Sequence, residues 1–197
     1  LYMRHLLGSG GGSLGVVGAL LVCDPMACVA QISVLALAAA LVLAVREGGR
    51  QLVPRILIGA LGAGAWALAP QNWTALRISE FKGLPQALEV RDARVVATRS
   101  GPLASLAVVE SPTVPFRHAP GLSLLAPALP PPQLGVFADG AFDTAIDLWD
   151  GEPATLAYLD HSPDALAYHL AKPADVLVLD AGGGRLVLQA ISHAANR

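Results

Sequence analysis

Positive charge is scarce in this sequence, and so is charge of any kind. Charged residues make up 14% of the 197 positions, the formal net charge is -2, and the Lys and Arg residues are scattered along the chain. A surface that binds nucleic acid needs a basic patch or stripe to meet the phosphate backbone. The composition therefore excludes nucleic acid as an expected partner.

Cysteine and clustered metal ligands are scarce as well. The two cysteines, Cys23 and Cys28, both lie in the most apolar stretch of the chain. A buried free thiol is the expected state there, in preference to a disulfide or a metal pair. The five histidines show none of the spacings of a metal site, so we expect no bound metal.

Long apolar runs, in contrast, dominate the first part of the chain. Residues 14–45 are almost entirely apolar, whereas one membrane crossing takes roughly 20 residues. The Asp24-Pro25 pair divides this run, because proline lacks a backbone donor and a charge at mid-bilayer is unfavourable. The pattern predicts transmembrane helices over residues 1–70, with a bilayer as partner. The predicted segments are the end of one helix at 14–23, a full span at 26–45 and a third at 52–69. Buried core helices are the alternative, but such helices rarely lack a polar face.

Two loops are predicted among these helices. The run GSGGGS at 8–13 is typical of a flexible loop. The loop at 46–55 carries Arg46, Arg50 and Arg55, which the positive-inside rule places in the cytoplasm. One crossing later, residue 73 onward would then face outside.

From residue 71 to 160 the apolar runs shorten to strand length, which predicts a small β-rich domain. ARVVAT at 93–98 and SLAVVE at 105–110 flank a Gly-Pro turn and predict a hairpin. LGVFADG at 134–140 predicts a strand closed by an Asp-Gly turn. The proline-rich stretch at 111–133 predicts a long loop.

Residues 161–197 have the pattern of the start of a Rossmann-like domain. PDALAYHLAKP at 163–173 predicts a short helix, and ADVLVLD at 174–180 a buried strand. Gly182, Gly183 and Gly184 follow as a tight turn before an amphipathic helix. Strand, glycine turn and helix form the unit whose backbone N–H groups bind nucleotides. The alternative is a structural turn in which the glycines allow close packing and positive φ.

These stretches resemble a known family over most of residues 77–197. RISEFKGLPQAL, ARVVATRSGPLASLAVVESPTVPFRHAPGLSL, PPQLGVFADG, DALAYHLA and VLVLDAGGG are similar to the membrane-anchored spermidine synthase-like proteins of bacteria. The resemblance implies transmembrane helices, a small β-rich domain, and a Rossmann-like domain similar to class I methyltransferases. It also implies binding of an S-adenosyl-methionine-type nucleotide, in the decarboxylated form for aminopropyl transfer.

The resemblance also assigns site residues. Its Asp-x-x-x-Tyr-His stretch, beside the substrate cleft, falls on Asp164, Tyr168 and His169, although a helix that merely covers a sheet edge would explain Tyr168 and His169 equally well. Its nucleotide-binding turn falls on Asp180 and the three glycines that follow. The catalytic residues remain unknown, because the family's catalytic acid lies beyond residue 197. We therefore expect an N-terminal fragment of a longer protein, without catalysis of its own.

Several positions depart from the family pattern. Over residues 180–185 the first glycine and the acid of the soluble aminopropyltransferases' glycine-rich loop are both absent, and Leu186 stands where the methyltransferase-like loop has its last glycine. Ala104 and Leu170 replace a glutamine and a glutamate, which removes polar groups that would hold a polyamine. These departures weaken the case for a polyamine substrate more than the case for a nucleotide.

The leading hypothesis is a membrane-anchored transferase that moves an aminopropyl or methyl group from an S-adenosyl donor to a small-molecule amine. A catalytically inactive, membrane-tethered scaffold or regulatory domain is the alternative. The expected location is the bacterial inner membrane, multi-pass, with the remaining domain in the cytosol where S-adenosyl nucleotides occur, although the arginine loop argues for the opposite orientation. A homodimer is a candidate assembly.

Overall fold

The chain is described here by a computed structural model covering residues 2–47, 52–67, 77–171 and 175–194. It divides into two compact units, one formed by Leu1–Arg77 with Ser100–Ala104 and the other by Ile78–Arg99 with Ser105–Arg197. The predicted domain boundaries at residues 70 and 160 stay predictions.

The first unit consists mainly of three helices. These are α1 (Tyr2–Leu20), α2 (Pro25–Glu47) and α3 (Leu52–Ala67), and α2 packs against the other two. The predicted break at Asp24-Pro25 is confirmed, because α2 begins at Pro25 and the Cys28 amide donates to the Asp24 carbonyl oxygen at 3.0 Å. Cys28 is buried and both cysteines are free thiols, as expected.

The predicted transmembrane helices, and with them the predicted fold class, are wrong. Among the described residues, no helix combines the length and the apolar character that a membrane crossing requires. α3, for example, has 16 residues, short of the roughly 20 that a crossing takes. The prediction of a multi-pass inner-membrane protein is wrong for the same reason. The end of the predicted third span lies outside the described residues.

The predicted loop at GSGGGS is also wrong, because residues 8–13 lie inside α1. Glycine lowers helix stability by about 1 kcal/mol per residue relative to alanine. Leucines on both sides favour the helix, and adding a residue to an existing helix requires no new nucleus. The Ser13 hydroxyl donates to the Ser9 carbonyl oxygen one turn earlier at 3.0 Å.

The second unit contains a four-stranded antiparallel sheet in the order β1-β2-β3-β4. Its strands are β1 (Arg94–Ser100), β2 (Ser105–Glu110), β3 (Gln133–Ala138) and β4 (Ala141–Asp147). The predicted strands at 93–98, 105–110 and 134–140 are therefore confirmed. The proline-rich loop is confirmed as well, since it lies between β2 and β3 without helix or strand.

The predicted Asp-Gly turn closes the hairpin of β3 and β4. Asp139 and Gly140 have φ of +49° and +81°, which suits the two-residue hairpin turn that matches strand twist. The Asp139 carboxylate accepts from the Ser105 amide at 2.9 Å, and Lys82 donates to the Asp139 carbonyl oxygen at 2.5 Å. This acid therefore has a structural role at the end of the sheet.

The short helix α4 (Gly83–Leu88) packs against the sheet through apolar side chains. Leu84 of α4 joins Ala107, Val109 and Phe137 in one core cluster, and Phe116 of the proline-rich loop packs against it. A second cluster forms around a 3₁₀ helix (Pro153–His161), whose Leu156, Tyr158 and Leu159 are fully buried.

Two further helices follow the 3₁₀ helix. The predicted helix at 163–173 is present as α5 (Ala165–Ala171), and the predicted amphipathic helix is present as α6 (Arg185–Ala194). Both pack against the 3₁₀ helix.

The predicted buried strand at 174–180 is wrong for the residues that are described. Residues 175–180 form no strand, and Leu177 and Leu179 are 83% and 76% exposed. A strand forms only when its backbone N–H and C=O groups pair with a neighbour. In the described part of the chain the sheet is antiparallel and ends at β4, so the expected start of a Rossmann-like parallel sheet does not form. Residues 172–174 lie outside the description.

Candidate functional site

The predicted glycine turn forms directly before α6. Asp180, Gly182 and Gly184 all have positive φ, at +56°, +52° and +87°. The Gly184 amide donates to the Ala181 carbonyl oxygen at 2.8 Å, and the Gly184 carbonyl oxygen accepts from Val187 and Leu188. The turn therefore leads the chain straight into the first hydrogen bonds of the helix.

The two sides of this turn differ. A Cβ on Gly183 would collide with the backbone carbonyl of Ala145, so this glycine lies against β4. Open space lies beside Gly184, where no described atom comes within 4 Å of a Cβ position. Asp180 is exposed, and its carboxylate has no partner among the described residues. The structural alternative thus explains Gly183, whereas Asp180 and Gly184 border open space.

The first residue of α6 fixes the turn to α5. Arg185 is only 17% exposed at its side chain, and its Nη2 donates to the Asp164 carboxylate at 2.9 Å. Its Nη1 is buried and has no hydrogen-bond partner among the described residues. Asp164, which the resemblance assigns to the substrate, is therefore already paired with a cation.

Three polar residues of α6 occupy one inward face. Arg185, Gln189 and His193 follow one another at intervals of four, which places them on the same side of a helix. Gln189 is fully buried and donates to the Leu159 carbonyl oxygen and the Ser162 hydroxyl, both at 3.2 Å. These bonds hold α6 on the 3₁₀ helix, and the i, i+4, i+8 spacing was the sequence signal that could have revealed this face.

A cluster of rings and one carboxylate joins α5, α6 and the 3₁₀ helix. Asp160 lies 2.7 Å from Nε2 of His169 and 3.7 Å from Nε2 of His193. The His193 ring stacks on Tyr168 with centroids 4.5 Å apart. The structure therefore turns His169 toward Asp160. No group of His, Cys, Asp and Glu within the described ranges has the arrangement of a metal site.

A buried polar network lies beneath β4. The Tyr158 hydroxyl donates to the Asp147 carboxylate, which also accepts from the Gln133 amide at 2.7 Å. Gln133 in turn bonds both backbone groups of His118. Burial, and then the hydrogen bond to Asp147, raises the pKa of Tyr158 above its ordinary value. Burial, and then the charge of Arg185, lowers the pKa of His118 below 6.5.

An open cavity of about 590 Å³ lies between α5 and the segment 176–179. Its walls are mostly apolar, with Leu166, Leu170 and Leu186 facing the same space as the segment. Asp164 and Tyr168 are the polar members of its lining, whereas His169 is not part of it. Two of the three predicted substrate residues thus share one cavity, separate in its lining from the predicted glycine turn.

Comparisons of this chain with protein-family models, with curated proteins and with solved structures find no match. The resemblance to spermidine synthase-like proteins therefore depends on the quoted motifs.

Proposed function

We propose that the turn at 180–185 binds an S-adenosyl-type nucleotide and that the chain is the nucleotide-binding part of a group-transfer enzyme. One observation carries this proposal. Asp180 presents an exposed, unpartnered carboxylate from a left-handed residue at the mouth of a glycine turn that opens into a ten-residue helix. Helix N-termini that follow a glycine turn bind the polar groups of nucleotides.

Each residue of the turn has its own part in this proposal. The Asp180 carboxylate accepts hydrogen bonds from hydroxyl or ammonium groups of the ligand. Gly184, with open space beside it, lets the ligand approach the backbone, and Gly183 keeps the turn against β4. The N-terminal amides of α6 add the positive end of a helix dipole.

The acceptor of the transferred group would lie in the cavity beside α5. An S-adenosyl donor supplies an electrophilic carbon next to its sulfonium sulfur. Tyr168 and the apolar side chains of α5 would contact and orient the acceptor there.

An interaction domain without nucleotide binding is the second candidate. Leu166, Leu170, Leu177 and Leu179 are 60–83% exposed and line one open surface. Contiguous exposed apolar side chains are typical of surfaces that bind another protein. In this case the glycines of the turn would only allow it to pack against β4, as Gly183 does.

Calorimetric titration of the chain with S-adenosyl-homocysteine tests the first proposal. We expect saturable binding by the wild-type chain, and about tenfold weaker binding by Asp180→Asn, because a hydrogen bond to a charged group is worth roughly 1.5–3 kcal/mol. Asp175→Asn, which removes a nearby exposed carboxylate, is the control and should bind as the wild type does. A folded wild-type chain that binds no nucleoside would favour the interaction domain.

A further inference from the structure

We infer that Cys23 and Cys28 form a redox site, which a low-molecular-weight disulfide such as glutathione disulfide converts into an intramolecular disulfide. Both cysteines belong to the first unit, where α1 is followed by α2, and both are free thiols in the structure. The inference goes beyond the proposed nucleotide binding and does not depend on it.

The two cysteines lie on either side of the start of α2. Cys23 lies in the turn after α1, and α2 begins two residues later at Pro25. Cys28 lies in the first turn of α2, where its amide donates to the Asp24 carbonyl oxygen at 3.0 Å. Two cysteines five residues apart on one helix would not be neighbours, because residues three or four apart are. The turn at Cys23 removes that restriction.

Two side-chain contacts bring the sulfur atoms to the same part of the structure. The Cys28 thiol donates to the Cys23 carbonyl oxygen at 4.0 Å. The side-chain amide of Gln31 donates to Cys23 Sγ at 3.6 Å. Because Gln31 is three residues after Cys28, the two are neighbours on the surface of α2. The sulfur of Cys23 thus lies beside the part of α2 that carries Cys28, which is the first condition for a disulfide between them.

The two thiols differ in their access to solvent. Cys28 is only 4% exposed, whereas Cys23 is partly exposed. The reaction of a thiol with an external oxidant depends on its exposure. Cys23 is therefore the thiol that reacts first, and Cys28 is the thiol that completes the disulfide.

The reaction takes place in two exchange steps. The Cys23 thiolate attacks one sulfur of glutathione disulfide, whose S–S bond breaks, and one glutathione leaves as a thiolate that takes up a proton. Cys28 then gives up its proton and attacks the Cys23 sulfur, which displaces the second glutathione. The two protein thiols lose two electrons, and glutathione disulfide is reduced to two glutathione thiols.

Equilibration of the wild-type chain in glutathione redox buffers tests the inference. Free thiols are trapped with iodoacetamide, and peptide mass spectrometry measures the fraction of the Cys23–Cys28 disulfide. We expect the equilibrium constant for this disulfide to be roughly tenfold larger in the folded chain than in the chain unfolded by urea, because the fold holds the two thiols together. Equal constants in the two states, or only mixed and intermolecular disulfides in the folded chain, would overturn the inference.

Two single variants test the order of the steps. Cys28→Ser should stop at a mixed disulfide of glutathione with Cys23. Cys23→Ser should form the mixed disulfide at Cys28 roughly tenfold more slowly, because Cys28 is buried. Equal rates in the two variants would contradict the assignment of Cys23 as the first thiol. The measurement on the wild type needs no substitution, so it stays decisive if the Cys28→Ser chain does not fold.

Discussion

Gly183 lies so close to Ala145 of β4 that a Cβ on the glycine would overlap the alanine carbonyl group. The obstacle is backbone rather than the end of a flexible side chain, so the turn itself would have to move. The contact connects the predicted nucleotide-binding turn to the last strand of the sheet. Gly183 thus sets the distance between the turn and β4.

Gly183→Ala should therefore destabilise the second unit by about 2 kcal/mol, the usual effect of forcing an extra methyl group into packed structure. Urea denaturation followed by circular dichroism measures the change. Ala181→Ser adds one heavy atom to an exposed position of the same turn and should change the free energy of unfolding by less than about 0.5 kcal/mol. Equal stabilities of the two variants would contradict the contact.

Tyr158→Phe should cost about 1–3 kcal/mol of stability, because it leaves a buried oxygen of Asp147 without its donor. Tyr168→Phe is the matched control, since the Tyr168 hydroxyl has no hydrogen bond within the described residues. Urea denaturation at neutral pH compares the two. A smaller loss for Tyr158→Phe than for Tyr168→Phe would argue against the buried network.

Stability should also fall at alkaline pH through Tyr158. Burial and the bond to Asp147 raise the folded-state pKa of Tyr158 above its ordinary value of 10.0. The neutral phenol is thus favoured by folding, so this contribution is complete below pH 10 and is lost as the pH rises above it. Urea denaturation between pH 9 and 11 should give a steeper decline for the wild type than for Tyr158→Phe. Parallel declines would contradict the raised pKa.

His118 should titrate below pH 6.5 in the folded chain. Burial is the larger cause of its lowered pKa, and the positive charge of Arg185 is the second. The folded state favours neutral imidazole, so its contribution to stability is present above pH 6.5 and is lost as the pH falls through the folded pKa.

Imidazole NMR across pH 4 to 8 measures this titration, and Arg185→Met should move the pKa of His118 upward without restoring 6.5, since burial remains. An unchanged pKa in the variant would show that Arg185 does not act on His118.

Local patterns in the sequence predicted the local parts of the fold. The strands at 93–98 and 105–110, and the Asp139-Gly140 turn, follow from β-branched runs and turn residues whose partners are near in the chain. The segment 174–180 has an equally apolar pattern but forms no strand where it is described, because a strand also needs a neighbour that local sequence does not specify.

In the candidate site, too, the local features were predictable from the sequence and the contacts between separate segments were not. The glycine turn and the helix after it were predictable from residues 180–195. Two contacts join separate segments of the chain, and residue spacing alone did not reveal them. They are the contact of Gly183 with β4 and the ion pair of Arg185 with Asp164. The high hydrophobicity of the first part of the chain predicted membrane spans that the described helices do not provide.

The most direct test of the proposed nucleotide site is an amide NMR titration of the chain with S-adenosyl-homocysteine. The proposal predicts that the largest shift changes fall on the amides of residues 180–187, and that the signals of β1 and β2 stay in place. Absence of any change in a folded chain, or changes confined to residues outside this turn, would contradict it.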